Sequence, residues 1–253
     1  MHSVDELFEI VVRESDDDSR WDAIQQLQTL GTREVFECAV RLCRAASPTE
    51  RVAGADVLGQ LTTFRDEALN VLLPMVDDAD TTVLASVAQA LGQQQDARTI
   101  EPLTRIALHD APNVRWAVAT ALENLIADDR AERVLLALMK DPDTSVRDQA
   151  TFAVGSLSDR DTPRIRAALA ERLRDDDRSV AHEAALGLAR RHDARAIPYI
   201  AVAIESPEGE GEIEEAADEI TSPDMLTDLL KARDALGNAA GLSRLIERCR
   251  ARI

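Results

Sequence analysis

The chain has 253 residues and a formal charge of −18, from 47 Asp and Glu against 29 Lys and Arg. A field of that sign repels a nucleic-acid backbone and excludes nonspecific binding to DNA or RNA. Aromatic residues are 3% of the chain while Ala, Leu and Val carry most of its 45% apolar content, a mixture that favours helices over a β-sandwich.

From the N-terminus, residues 2–9 show no basic segment followed by an apolar core. No later stretch approaches about 18 uncharged apolar residues, so neither export nor membrane insertion is expected. The first predicted element is a helix over 3–15, with Val4, Leu7, Phe8, Val11 and Val12 on one stripe. Seven segments then align without gaps, beginning at Ser19, Glu50, Val83, Val114, Val146, Val180 and Glu212, with steps of 31, 33, 31, 32, 34 and 32 residues. A period of that size marks a repeat architecture in which stacked units share one core.

Within each segment the fifth and sixth positions are small: Ala23, Gly54 and Ala55, Ala88, Ala119, Ala150, Ala184 and Ala185, Ala216 and Ala217. The ninth is a large aliphatic: Leu27, Leu58, Leu91, Leu122, Val154, Leu188 and Ile220. Both columns fall on one helical face and are predicted to pack between repeats. Acidic or Pro-bearing turns precede most segments (Ser47-Pro48, Asp78-Ala-Asp80, Ala111-Pro112, Asp141-Pro-Asp143, Asp175-Asp-Asp177, Ser206-Pro207) and supply N-caps. Second amphipathic helices lie between them, as at 100–108 and 197–204, and the chain closes with stripes at Met225, Leu226, Leu229 and Leu230 and then Leu242, Leu245 and Ile246. Each repeat therefore reads as a helical hairpin, and the prediction is an all-α, right-handed α-α superhelix of about eight hairpins. It would form one solenoid domain over 1–253, with clear repeats over about 18–235 and a capping helix over 236–253.

The phrase Asp141-Pro-Asp-Thr-Ser-Val-Arg-Asp-Gln-Ala150 and the hairpin Asp96-Ala-Arg-Thr-Ile-Glu-Pro-Leu103 resemble HEAT repeats of the short subtype first noted in phycobilisome bilin lyases. The resemblance implies the fold more than the function, since such arrays host scaffolds, adaptors and a few enzymes. Apart from the repeat itself, the sequence has no feature that argues for a tetrapyrrole. A di-iron deoxyhypusine hydroxylase carries several His-Glu pairs at the third and fourth positions of the unit. Only His182-Glu183 falls in that register here, which cannot fill the coordination sphere of two irons; His182 is read as a polar surface residue. His2, His109 and His192 stand alone, no phosphate loop or nucleophile motif is present, and no cofactor or metal is expected. Cys38, Cys43 and Cys249 have no metal-ligand spacing, and Cys38 and Cys43 sit on different faces of one helix as packing residues, which suits a reduced cytoplasmic protein. Lys140 and Lys231 are the two lysines among the 29 basic residues, and acidity with so little Lys resembles the proteins of salt-in halophilic archaea. In molar salt the Debye length falls to about 3 Å, so a large charge no longer drives self-repulsion.

In HEAT arrays the helix carrying the Val-Arg phrase lines the concave side, which implies that the third, fourth and seventh positions face a groove. The candidate partner-binding residues are Trp21, Trp116, Asp148, Phe152, His182, Glu183, Leu186 and Glu214. Trp116 and Phe152 fall on successive repeats in a chain with two Trp, one Tyr and four Phe, and the carboxylates make a rim. The expected activity is noncatalytic: a scaffold or adaptor, in a regulatory or taxis-signalling assembly, that binds a protein segment bearing apolar and basic residues. The alternative is a lyase-like or metal-dependent enzyme or accessory factor acting on a tetrapyrrole or a protein side chain. Neither a nucleic-acid nor a membrane partner is expected, and the chain should be a monomer or weak oligomer. The second-position arginines Arg20, Arg51, Arg115 and Arg147 are predicted to reach turn aspartates such as Asp78, Asp110 or Asp143 in a ladder. Arg233, Arg244, Arg248, Arg250 and Arg252 read as cations on a terminal cap, or as a docking tail.

Overall fold

The computed structural model describes residues 2–13, 16–205, 212–237 and 239–253. Residues 14–15, the end of the first predicted helix, and the turn at Ser206-Pro207 lie outside the described residues. Among the described residues all regular structure is helical, with sixteen α-helices, and the chain forms two compact units, Met1–Val134 and Leu135–Ile253.

In the first unit the outer helices α1 (Val4–Arg13), α3 (Arg33–Cys43), α5 (Arg65–Leu72) and α7 (Ile100–Ile106) alternate with the inner helices α2 (Asp17–Leu30), α4 (Pro48–Gln60), α6 (Thr81–Gln93) and α8 (Pro112–Leu122). The boundary between the units falls within α9 (Asp129–Leu138). In the second unit the inner helices are α10 (Thr144–Gly155), α12 (Arg178–Arg190) and α14 (Glu212–Ile220), between α11 (Pro163–Arg172), α13 (Ile197–Ala203) and α15 (Leu226–Leu236), followed by α16 (Ala240–Arg250). The inner helices are the seven aligned segments. They pack side by side, α4 on α6 and α6 on α8 in one unit, α10 on α12 and α12 on α14 in the other.

The small and large columns are buried as their spacing requires, from Ala23 and Leu27 to Ala217 and Ile220. Close approach is what makes them small. A Cβ on Gly187 would stand 2.6 Å from the Gly155 Cα of the neighbouring helix, and one on Gly92 would stand 2.5 Å from the Ala121 Cα. Asp80, Asp143 and Asp177 cap α6, α10 and α12 by accepting from amides two and three residues on, while α4 and α8 begin on Pro48 and Pro112 with no side-chain cap.

The acidic turns follow one plan. In the sequence Asp-x-Asp, the second carboxylate caps its own helix, and the first accepts the amide of the second: Asp80 to Asp78 at 2.9 Å, Asp143 to Asp141 at 2.9 Å and Asp177 to Asp175 at 3.1 Å. At Asp78 and Asp175 that first carboxylate also receives the arginine of the preceding repeat. Arg51 donates to both oxygens of Asp78 at 2.8 and 3.0 Å, and Arg147 to both of Asp175 at 3.0 and 2.9 Å. Each of these arginines also donates Nη1 to the carbonyls of its own turn, at Ala45 and Ala46 and at Asp141 and Pro142. Arg115 treats His109 and Asp110 likewise at 2.8 Å. The predicted ladder is corrected in detail. Asp143 is a cap and not an arginine acceptor, Asp110 offers Arg115 its carbonyl, and Arg20 pairs instead with Asp56 on the inner helix α4.

A second tie between repeats was not expected. At the end of α6, Gln94 donates Nε2 to the carbonyls of Leu58 and Gly59 at 2.9 and 2.8 Å, near the end of α4. At the end of α12, buried Arg191 does the same to Val154 and Gly155 at 2.9 and 3.1 Å, at the end of α10. Arg191 also donates to Ser158 at 2.7 Å, Arg160 at 2.9 Å and Gly187 at 2.7 Å. Helix ends leave their last carbonyls without intrahelical partners, so these side chains cap the preceding repeat, with a cation at a helix C-terminus in the case of Arg191.

The three cysteines are buried free thiols, and burial pushes Cys43 up to about 12. Three of the C-terminal arginines, two on α16 and one just after it, bond to carboxylates of the second unit. Arg248 donates to Glu214 at 2.7 Å, Arg244 to Glu214 at 3.3 Å, and Arg252 to the Asp218 carboxylate at 2.7 Å.

Candidate functional site: the outward columns of the inner helices

The third, fourth and seventh positions of the inner helices divide into groups once their surroundings are known. In the first unit Trp21 is 45% exposed on α2, next to a depression bounded by α4 and α6. Trp116 is half-buried on α8.

In the second unit Asp148 and Phe152 lie one turn apart on α10, both half-buried, and Glu183 is half-buried on α12. The Oδ1 atom of Asp148 is shut off from solvent and has no hydrogen-bond partner among the described residues. Burial raises the Asp148 carboxyl above its ordinary value, and the charge of Asp177 adds to the rise. Burial also pushes Glu183 up. It does so against the hydroxyl of Ser156, which donates to Glu183 Oε2, and the charge of Asp148 raises it further. The charge of Asp148 reaches Glu183 on the adjacent inner helix, and Phe152 lies one turn along α10, so the three side chains make a negative and partly apolar patch. A cationic group placed against this patch would offset its negative charge.

Three expectations are corrected. His182 is not a surface residue. It is buried at 6% exposure, its ring edge against Tyr199 at 5.7 Å between centroids and its Nε2 accepting from Arg178 at 3.5 Å. Leu186 is buried at 9% and packs in the core instead of facing a groove. Glu214 is held by Arg244 and Arg248 of its own chain, so it is not a free rim carboxylate. Register alone does not say how far a neighbouring outer helix, α13 with Tyr199 or the terminal α16, covers them. Among the described residues no three His, Cys, Asp or Glu side chains are grouped to hold a metal ion, and no helix is long and apolar enough to cross a membrane.

Stacked hairpins of about 32 residues, with small and aliphatic columns between them and turn aspartates bonded to arginines, define an α-helical repeat protein of the HEAT type. The profile for HEAT repeats matches residues 4–92, 69–155 and 131–221, and the chain belongs to that family. Its sequence is similar to Protein YibA of Escherichia coli strain K12, 28% identical over 234 residues that cover 88% of this chain and 82% of the relative. The X-ray structure of E. coli YibA superposes with a TM-score of 0.74 at 25% identity, covering 98% of this chain and 93% of that one. The archaeal HEAT-like repeats protein from Thermococcus onnurineus NA1 gives a TM-score of 0.53 at 15% identity over 87% of this chain and 97% of that one, which is a likeness of fold.

Proposed function

We propose that the chain is a noncatalytic protein-binding scaffold or adaptor, and that the patch of Asp148, Phe152 and Glu183 takes a partner segment bearing an Arg or Lys beside an apolar residue. The observation that carries this is the pair of half-buried carboxylates on adjacent inner helices, Asp148 and Glu183, both raised by burial, since desolvated negative charge costs stability that a partner's cation would offset. Phe152 supports the same reading as an aromatic anchor within a charged rim. A preformed helical surface loses little conformational entropy on binding. The composition supports an acidic coat suited to a high-salt cytoplasm, with partner choice resting on the few carboxylates that are desolvated.

The test is the binding of arrayed decapeptides that pair basic with apolar residues, to the parent chain and to Asp148→Asn and Phe152→Ala. Retention weaker by about tenfold in both variants, with folding intact, supports the proposal. Unchanged retention overturns it, as does stoichiometric iron or a bound chromophore in the purified protein.

A further inference from the structure

We propose that the depression on the inner helices of the first unit binds the main chain of an extended, uncharged polypeptide segment. This deepens the protein-binding reading above and rests on it. The depression has a volume of about 170 Å³ and is lined chiefly by Arg20, Trp21, Asp56, Gln60, Gln89 and Gln93.

Its charges cancel within its own wall. Arg20 pairs with Asp56, and Asp56 also accepts from the hydroxyl of Ser86, so the remaining polar surface is glutamine amide. That is unusual in a chain of which 30% is charged and whose net charge is −18. A neutral recess neither attracts a basic segment nor repels an acidic one strongly, so the recognition has to come from hydrogen bonding and apolar contact.

The amides are set for that. Gln60 donates Nε2 to Gln93 Oε1 at 2.6 Å, which orients both side chains and leaves the Gln60 Oε1 acceptor and the Gln93 Nε2 donor uncommitted among the described residues. The Gln89 amide has no hydrogen-bond partner among the described residues and is half-buried on the same wall. Each primary amide offers an acceptor edge and a donor edge. A peptide unit presents the complementary N–H and C=O, and only an extended chain has them free, because in a helix they are already bonded to each other. Trp21 supplies the apolar part. Its indole is 45% exposed at the rim, where the side chain of one ligand residue, apolar or proline, can cover it. The recess holds about one residue, so the contact is a clamp on a short stretch.

The probe is an array of acetylated, amidated decapeptides of randomised sequence, read in low and in molar salt. It is applied to the parent chain, to Trp21→Ala, to Gln60→Leu with Gln93→Leu, and to Asp148→Asn. The inference expects a set of peptides poor in Asp, Glu, Lys and Arg whose retention changes little with salt. Trp21→Ala and the double glutamine variant should weaken this set by about tenfold, and Asp148→Asn should leave it unchanged. Because Trp21 and Gln93 are exposed, circular dichroism should show these variants folded. If the peptides lost with Trp21 are all basic, if the set is unaffected by these substitutions, or if none is retained, the inference is overturned. A parallel glycan array whose hits depend on Trp21 would assign the recess to a sugar and overturn it as well. Failure of the broader reading would look different, with the basic peptides indifferent to Asp148→Asn and Phe152→Ala.

Discussion

Replacing Arg191 with methionine tests how the repeats of the second unit are tied together. The methionine keeps most of the aliphatic stem but removes five hydrogen bonds, to Val154, Gly155, Ser158, Arg160 and Gly187. A net loss of about 1 kcal/mol for each bond would total about 5 kcal/mol. The carbonyls of Val154 and Gly155 lie in the last turn of α10 and have no intrahelical donor to fall back on. Water can reach the loop carbonyls at Ser158 and Arg160 after local relaxation, so an observed loss of about 3 to 5 kcal/mol is expected. That is a large fraction of the stability of an ordinary domain, about 5 to 15 kcal/mol. Arg191→Gln places at this site the side chain that Gln94 uses in the first unit, and it should recover roughly half of the loss by bonding the two helix-end carbonyls again. Equilibrium urea unfolding at neutral pH measures both variants, with the m-value checked for constancy. A loss below about 1 kcal/mol for Arg191→Met, or a glutamine variant no better than the methionine one, would refute the capping role.

Three further outcomes follow from the same packing and electrostatics. Arg147→Ala leaves the buried carboxylate of Asp175 with only Arg172 as a cationic partner, and should cost about 2 to 3 kcal/mol at neutral pH in urea unfolding. Burial raises Asp175, but the hydrogen bonds from Arg147 and the Asp177 amide outweigh it and hold the carboxyl below its ordinary value, so the pair's contribution is present at neutral pH and shrinks as pH falls through that lowered value. Gly187→Ala forces α12 away from Gly155 and should lower stability by about 1 to 3 kcal/mol in thermal or urea unfolding, whereas alanine at exposed Gln93 should be nearly neutral. Asp148→Asn should raise the melting temperature at neutral pH. Folding raises this carboxyl, so its ionised form opposes folding, and the advantage of asparagine should vanish as pH drops into the range where Asp148 is protonated.

Much of the fold was legible because the repeat is written in residue size. A column such as Ala88, Ala119 and Ala150 followed by Leu91, Leu122 and Val154 fixes the face of every inner helix, and the structure buries all of them. The turn aspartates were legible as caps. Their division of labour was not, since nothing local distinguishes Asp141, which accepts the amide of Asp143, from Asp143 itself, whose carboxylate caps the helix; that depends on the geometry of the turn. Arg191 and Gln94 escaped notice because they share position but not chemistry, and only the carbonyls they reach unite them. In the candidate site, register placed Asp148, Phe152 and Glu183 on inner helices, where each is half-buried. It failed for His182 and Leu186, which neighbouring elements cover, and for Glu214, which α16 neutralises from 34 residues further along the chain. The glutamine recess of the first unit leaves no mark in the charge pattern, because the amides that line it are uncharged.

The most direct test of the central claim is quantitative mass spectrometry of the proteins retained in molar salt by the parent chain, compared with those retained by a folded chain carrying both Asp148→Asn and Phe152→Ala. A partner held in stoichiometric amount by the parent, carrying a basic and apolar segment, and lost from the double variant is the predicted result. Identical protein sets on the two chains would contradict it.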